Sequence, residues 1–224
     1  MAKPHRPIRS FVKREGRMSA AQTRALKELM PVYGVDCQSP IFMDELFGRD
    51  APRYIEIGFG MGTSLIEMAE THPEHDYLGI EVHRPGVGSL LASLHDKGLT
   101  NLRVINDDAV KVLAEHIPAD SMDGAMLFFP DPWQKKKHHK RRILQVPFIQ
   151  SVMRCLKQGG VFHLATDWED YAQQMLETLT ATEGLVNSVN EGYASRGQRP
   201  MTKYERRGLR LGHEVHDLIF IKQS

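Results

Sequence analysis

Arg53-Tyr54-Ile55-Glu56-Ile57-Gly58-Phe59-Gly60-Met61-Gly62-Thr63 is the stretch that decides the fold. Five residues of strand character lead into glycines at every second position, and Thr63 to Thr71 continues at helical spacing. A strand, a glycine turn and a helix in that order are how α/β proteins hold nucleotide-like ligands, because glycine lets the backbone approach where a Cβ would collide. The spacing here is GxGxG. The dinucleotide fingerprint GxGxxG requires glycine at position 63, where Thr63 stands, which argues against a nicotinamide dehydrogenase.

Outward from the turn, strands and helices alternate. Asp76 to Glu81, Leu102 to Ile105 and Gly124 to Phe129 read as further strands, the last a continuous apolar run suited to the centre of a parallel sheet. Helices are expected over Pro85 to Lys97 and Val110 to His116. Another is expected where Val146, Ile149, Met153 and Leu156 recur at helical spacing, with Gly159-Gly160 stopping it before a strand Val161 to Ala165. Trp168 to Thr182 reads as a helix, and Val215 to Lys222 as the final strong strand after a polar stretch rich in Gly, Arg and Pro. This alternation implies a doubly wound, mostly parallel sheet in one domain over residues 36–224. Residues 1–35 read as a basic, flexible arm, with a short helix over Ala20 to Met30.

Composition sets the remaining bounds. The chain is 41% hydrophobic and 25% charged, ordinary for a globular domain of 224 residues, and no stretch approaches the ~18 uninterrupted apolar residues of a membrane span. Cys37 and Cys155 lie far apart and outside any metal-ligand spacing, which fits a reducing cytoplasm. The net charge of +1 conceals an asymmetry. Residues 1–30 hold eight Lys/Arg against Glu15 and Glu28, and residues 135–142 hold six with no acid. The other fifteen Lys/Arg of the 29 face 26 acids, so an acidic body carries two basic regions, which a polyanion partner explains and, less sharply, a disordered tail with a solvated loop.

Three acids stand at three successive strand ends: Glu56 at the glycine turn, Glu81 about twenty residues later, and Asp108 within Asn106-Asp107-Asp108. S-adenosylmethionine carries no phosphate, and carboxylates suit its ribose hydroxyls, its adenine amino group and its ammonium. Each acid equally suits a turn or helix cap. Asp131 sits between Pro130 and Pro132 at the end of the apolar run, its direction stiffened by the fixed φ of both prolines. Asp167 follows the strand Val161 to Ala165 and reads as a site residue or as a cap for the helix beyond. Trp133 suits base stacking or plain packing. Neither His138-His139 nor the pair His72 and His75 lies in zinc spacing with cysteine, so no metal is expected.

Taken in order, EIGFGMG, IEVHRPGVG, FFPDPWQKKKHHKRR, ATDWEDYAQQML and TKYERRGLRLGHEVHDL resemble the tRNA (guanine-N7)-methyltransferase family, over residues 50 to 220. The basic arm Ile8 to Arg14 is similar in character. The resemblance implies a Rossmann-like class I methyltransferase with a seven-stranded, mostly parallel sheet and an antiparallel C-terminal strand. It implies S-adenosylmethionine as donor and a guanine at position 46 of the tRNA variable loop as acceptor. Carried over by motif, Glu56, Gly58, Gly60, Glu81, Asp108 and Asp131 contact the cofactor, and Asp131 is also the catalytic residue. Lys135, Asp167, Thr202, Lys203, Tyr204 and Glu205 contact substrate, while Lys137, His138, His139, Lys140, Arg141 and Arg142 engage the RNA. The Lys135-Lys136-Lys137 run is richer in lysine than the family pattern, so the register of individual lysines stays open.

The chemistry agrees. Guanine N7 is an unprotonated lone pair, so its methylation needs orientation and charge stabilisation rather than a general base. A methyltransferase for small molecules or proteins has no use for two basic regions. A non-catalytic RNA-binding protein has no use for Glu56, Glu81, Asp108 and Asp131 together. The sequence leaves monomer and homodimer both open.

Overall fold

The structure, a computed structural model, describes residues 10–11, 16–197 and 199–223, without the side chain of Tyr204. Ile8, Arg9 and Val12 to Arg14 of the basic arm lie outside the described residues. Strands β1 (Arg53–Ile57), β2 (Asp76–Ile80), β3 (Leu102–Ile105), β4 (Met122–Phe128), β5 (Leu156–Thr166), β6 (Leu185–Asn187) and β7 (His216–Lys222) form one sheet. Their order is β3-β2-β1-β4-β5-β7-β6. Pairing is parallel from β3 through β5, and β7 runs antiparallel to both β5 and β6. The expected sheet, with its antiparallel final strand, is therefore present.

Eight α-helices are described: α1 (Ala20–Tyr33), α2 (Met43–Phe47), α3 (Thr63–Thr71), α4 (Arg84–Asp96), α5 (Ala109–Glu115), α6 (Val146–Cys155), α7 (Glu169–Thr180) and α8 (Lys203–Arg210). The strict two-residue period of a strand sends neighbours to opposite faces, and each face has its own core. Ile55, Ile57, Leu78 and Ile80 pack with Val112 and Leu113 of α5, Phe148, Ile149 and Val152 of α6, and Tyr171 and Met175 of α7. Tyr77, Leu102 and Val104 pack on the other side with Leu65 and Ile66 of α3, Leu90, Leu91 and Leu94 of α4, and Ala25 of α1. No helix among the described residues is long and apolar enough to cross a membrane.

Five places differ from the sequence expectation. Helix α1 belongs to the packed body rather than to a flexible arm: Ala25 is buried, Gln22 lies against Gly88 of α4, and Val35 N donates to Val104 O of β3 at 2.8 Å. Helix α6 ends at Cys155, and β5 starts at once. Its pairing with β4 jumps from Met122–Leu156 to Gly124–Val161, so Lys157 to Gly160 bulge out and Gly159 takes φ 76° to allow it. The glycines therefore shape a bulge within a strand instead of stopping a helix. The short elements α2 and β6 offer too few residues to show a period. Helix α8 occupies the polar stretch before β7, where no apolar stripe marked a helix.

Parallel strands bring their C-terminal ends to one edge, and the chain reverses its winding between β1 and β4. The crevice at that reversal is where open α/β sheets hold ligands. Gly86 lets α4 pack directly on the glycine turn beside it, since a Cβ there would lie 1.9 Å from the Gly60 carbonyl oxygen. Gly86→Ala is expected to force α4 off the glycine turn at a cost of ~1–3 kcal/mol, lowering the thermal midpoint by roughly 2–4 °C per kcal/mol in a scanning calorimeter.

Candidate cofactor and substrate cleft

Gly58, Gly60 and Gly62 all adopt the left-handed region, at φ 75°, 61° and 78°, which lets three tight reversals follow one another at the end of β1. A cavity of about 770 Å³ opens beside them, within the range of small-molecule sites. Its walls include Gly58, Gly60, Glu81, Asp108, Asp131 and Lys135, so the structure brings together most of the residues singled out for cofactor contact. Glu56 joins Gly58, Thr202 and Lys203 around a smaller adjoining cavity of about 50 Å³.

Glu81 ends β2 with both carboxylate oxygens engaged. Oε2 accepts from Gly60 N and Oε1 from His83 N, each at 2.8 Å. Asp108 is the N-cap of α5, its Oδ1 accepting from Val110 N at 3.1 Å, so the cap reading of this acid holds and its place in the cleft wall holds with it. Asn106 Nδ2 donates to Glu81 O at 2.6 Å and links the two strand ends.

Glu56 is the unusual member. It is 2% exposed, and Ser64 Oγ donates weakly to its Oε1 at 3.4 Å. Its Oε2 is buried without a hydrogen-bond partner among the described residues. Desolvation pushes the carboxyl up to about 8, with Ser64 opposing the rise and the negative charge of Glu81 adding to it. An orphaned acceptor beneath a glycine turn is what an incoming ammonium would satisfy. Three acids and three open-φ glycines fit the ribose and amino-acid ends of S-adenosylmethionine better than a phosphate.

The opposite wall is the turn after β4. Phe129 and Trp133, on either side of Pro130-Asp131-Pro132, stand at φ 52° and 44°. Such values are rare for bulky residues, so the direction of Asp131 is set by two left-handed residues as well as by the prolines. Phe129 N donates to Ala165 O of β5 at 2.7 Å and fixes the first of these turns. The Trp133 indole donates to Ser10 O at 3.0 Å, and the Arg141 guanidinium lies 3.9 Å from its ring centre. Packing, not an open stacking face, describes Trp133 in this conformation. Ser10 and Phe11 of the arm also line the cavity.

Lys136 to Arg141 form a 3-10 turn beside the cleft, with Lys135, Lys136, Lys137 and Lys140 exposed. His138 is held below its ordinary value, first by desolvation and then by the cations around it. Arg142 is a correction to the expected RNA contacts. It is 2% exposed, its guanidinium donating to Pro132 O at 2.8 Å and to Gln174 Oε1 and Asp170 Oδ2 at 2.5 Å each, above the ring of Tyr171. With its donors engaged inside the protein, it anchors the basic segment to α7 instead of meeting phosphate. His139 stands 3.7 Å from Asp170 on the same anchor.

The remaining substrate residues separate. Asp167 is half-buried, 3.7 Å from His213 Nδ1, and does not cap α7, whose cap position is Trp168. Thr202 Oγ1 accepts from Glu205 N at 3.1 Å and caps α8. Glu205 is 3% exposed and paired with Arg199 at 2.6 Å. Tyr204 lies in α8, its side chain outside the described residues. Arg199, Asp217 and Ser64 have no signal in the sequence, since each acts through buried contacts that only the fold brings together. Away from the cleft, His72, Glu74 and His75 bring donor atoms within 4.8 Å of one another before β2, at the other edge of the sheet.

Strand order, glycine turn and acid-lined crevice define a class I methyltransferase. Residues 50–218 match a family model described as "Putative methyltransferase". The tRNA (guanine-N(7)-)-methyltransferase of Alkalilimnicola ehrlichii is 55% identical over 98% of this chain and 94% of its own length, and that of Cronobacter sakazakii is 55% identical over 97% and 92%. The 16S rRNA methyltransferase KamB shares the fold at a TM-score of 0.60, with 14% identity over 81% of this chain and 93% of that one. The chain belongs to the tRNA (guanine-N(7)-)-methyltransferase family.

Two predictions follow from these contacts. An unfolded chain ionises Glu56 near 4.5 while the folded one holds the proton up to about 8, so this group's contribution to stability falls as pH rises through that window and is level above it. Glu56→Gln removes that loss. Its thermal midpoint should exceed the parent's above pH 8, by the equivalent of a few kcal/mol, while cofactor affinity by calorimetry falls. Arg142→Ala should lower the midpoint, and Lys137→Ala should leave it unchanged while reducing the slope of log affinity for tRNA against log salt by about 1.

Proposed function

We propose that this chain transfers a methyl group from S-adenosylmethionine to N7 of guanine at position 46 of the tRNA variable loop. The observation that supports it best is one cleft with two characters. Its floor carries Glu81 and Asp108, with Glu56 in the small cavity adjoining it, and its rim is the exposed lysine segment beyond a rigid Asp131 turn. Bound S-adenosylmethionine supplies a methyl group made electrophilic by its sulfonium.

The protein's work is positional and electrostatic. Glu56 would hold the cofactor's ammonium, Glu81 would accept from its ribose hydroxyls through the lone pairs its two backbone bonds leave, and Asp108 would accept from its adenine amino group. N7 lies in the deep, narrow major groove of A-form RNA, so the guanine has to arrive from a loop or be drawn from its stack. Lys135, Lys137 and Lys140 hold the phosphates, with Asp167 and Lys203 nearer the base. Attack by N7 leaves positive charge on the imidazole ring, and Asp131 stabilises that charge without taking a proton. Such an enzyme works in the cytoplasm, where tRNA is.

Two unmodified tRNAs differing only by G or A at position 46 test the acceptor. N7-methylguanosine by nucleoside mass spectrometry from the G form alone is the expected result, and modification of both would refute the position. Asp131→Asn should slow single-turnover transfer by about 100- to 1,000-fold, and the parent's pH–rate profile should show no limb in which Asp131 acts as a base.

A further inference from the structure

A buried ionic network lies behind the wall of the cleft that carries α8. Arg199 is 6% exposed and stands between two acids. Its Nε donates to Asp217 Oδ1 at 2.5 Å and its Nη2 to Asp217 Oδ2 at 2.7 Å, the paired geometry of a guanidinium facing a carboxylate. Nη1 donates to Glu205 Oε2 at 2.6 Å, and Nη2 reaches Glu205 Oε1 at 3.3 Å. Asp217 also meets His163 Nε2 at 2.7 Å. One side chain thus joins β7, whose Asp217 pairs with Ala165 of β5, to the first turn of α8.

The same guanidinium lies 5.6 Å from the ring centres of both Phe128 and Phe129. Phe129 is the left-handed residue that begins the Asp131 turn, and Phe129, Thr202 and Arg206 share the wall of the small cavity around Glu56. Among the described side chains of α8, Glu205 and Gly208 are the buried positions, and Glu205 carries the ion pair to Arg199. A buried arginine with two acids is costly to desolvate and gives little net stability over apolar packing. What it does give is direction, because a planar fork satisfied on both sides permits one placement of its partners.

We propose that Arg199 is a positioning residue for methyl transfer, holding the Thr202–Arg206 turn of α8 and the Phe129 start of the Asp131 turn in one fixed relation. The guanine wall and the charge-stabilising acid are then set by a single guanidinium that touches neither cofactor nor base. Glu205 contributes through Arg199.

This rests on the methyl-transfer reading, and the parent enzyme separates the two: failure of the parent to methylate G46 tRNA would overturn that reading alone. Arg199→Lys keeps the charge and loses the fork. It should slow single-turnover transfer about 100-fold, the scale of an ångström's misplacement, while cofactor affinity by calorimetry and tRNA affinity by filter binding stay within about twofold. Glu205→Gln leaves Arg199 on Asp217 and loosens only α8, so it reads the same positioning should Arg199→Lys fail to fold. The double variant should be no slower than the worse single one. Parent-like transfer by Arg199→Lys would overturn the proposal, as would cofactor affinity falling in step with rate, or single effects that multiply. Where Arg199→Lys does not fold, parent-like transfer by Glu205→Gln overturns it.

Discussion

Two hydrogen bonds from one carboxylate hold the centre of this molecule. A turn of glycines has no side chains to keep its shape, and its three left-handed residues are individually free to relax. Glu81 removes that freedom by accepting from Gly60 N and His83 N together, which clasps the turn to the end of β2. Asn106 extends the clasp to β3, and Gly86 lets α4 close on the Gly60 carbonyl from outside. Glu56 lies buried beneath, with an acceptor that nothing in the described protein satisfies. The floor of the cleft is therefore held in shape by the protein itself, and the buried Glu56 oxygen is left for a ligand's hydrogen-bond donor.

The rim follows a different logic. A run of lysines and histidines would repel itself into an extended loop, yet here it forms a compact 3-10 turn. Its C-terminal end is tied down by two consecutive arginines that turn inward: Arg141 over Trp133, and Arg142 onto Asp170 and Gln174. These arginines are drawn into the protein so that the lysines can stay in water. Positive charge is thereby fixed at the mouth of an acidic cavity, where a polyanion meets it before the base reaches the acid behind.

How far could this be read from residues alone? The sheet is legible because β1, β2 and β3 are short segments of strand character bounded by turn residues, β4 contains an apolar run, and GxGxG places the first crossover. The acids at strand ends were legible by position. What escaped has a common cause. Helix α8 is held by a salt bridge and carries no apolar period, β6 has three residues, and the Gly159-Gly160 bulge looks like a helix stop until its register is known. Arg142 illustrates the limit most plainly. The lysines before it in sequence face water, and only the position of α7 decides that this cation is buried.

The order of the chain gives the Arg199 network a further meaning. Residues 53 to 131 hold the glycine turn, all three strand-end acids and Asp131, whereas Asp217 comes after every other member of the site. Because β7 inserts between β5 and β6, its place in the sheet stays open until residue 222 has been made. A nascent chain leaving the ribosome can thus assemble the cofactor half first and fix α8 only at the end. The α8 wall of the cleft is the part whose support comes last in the chain.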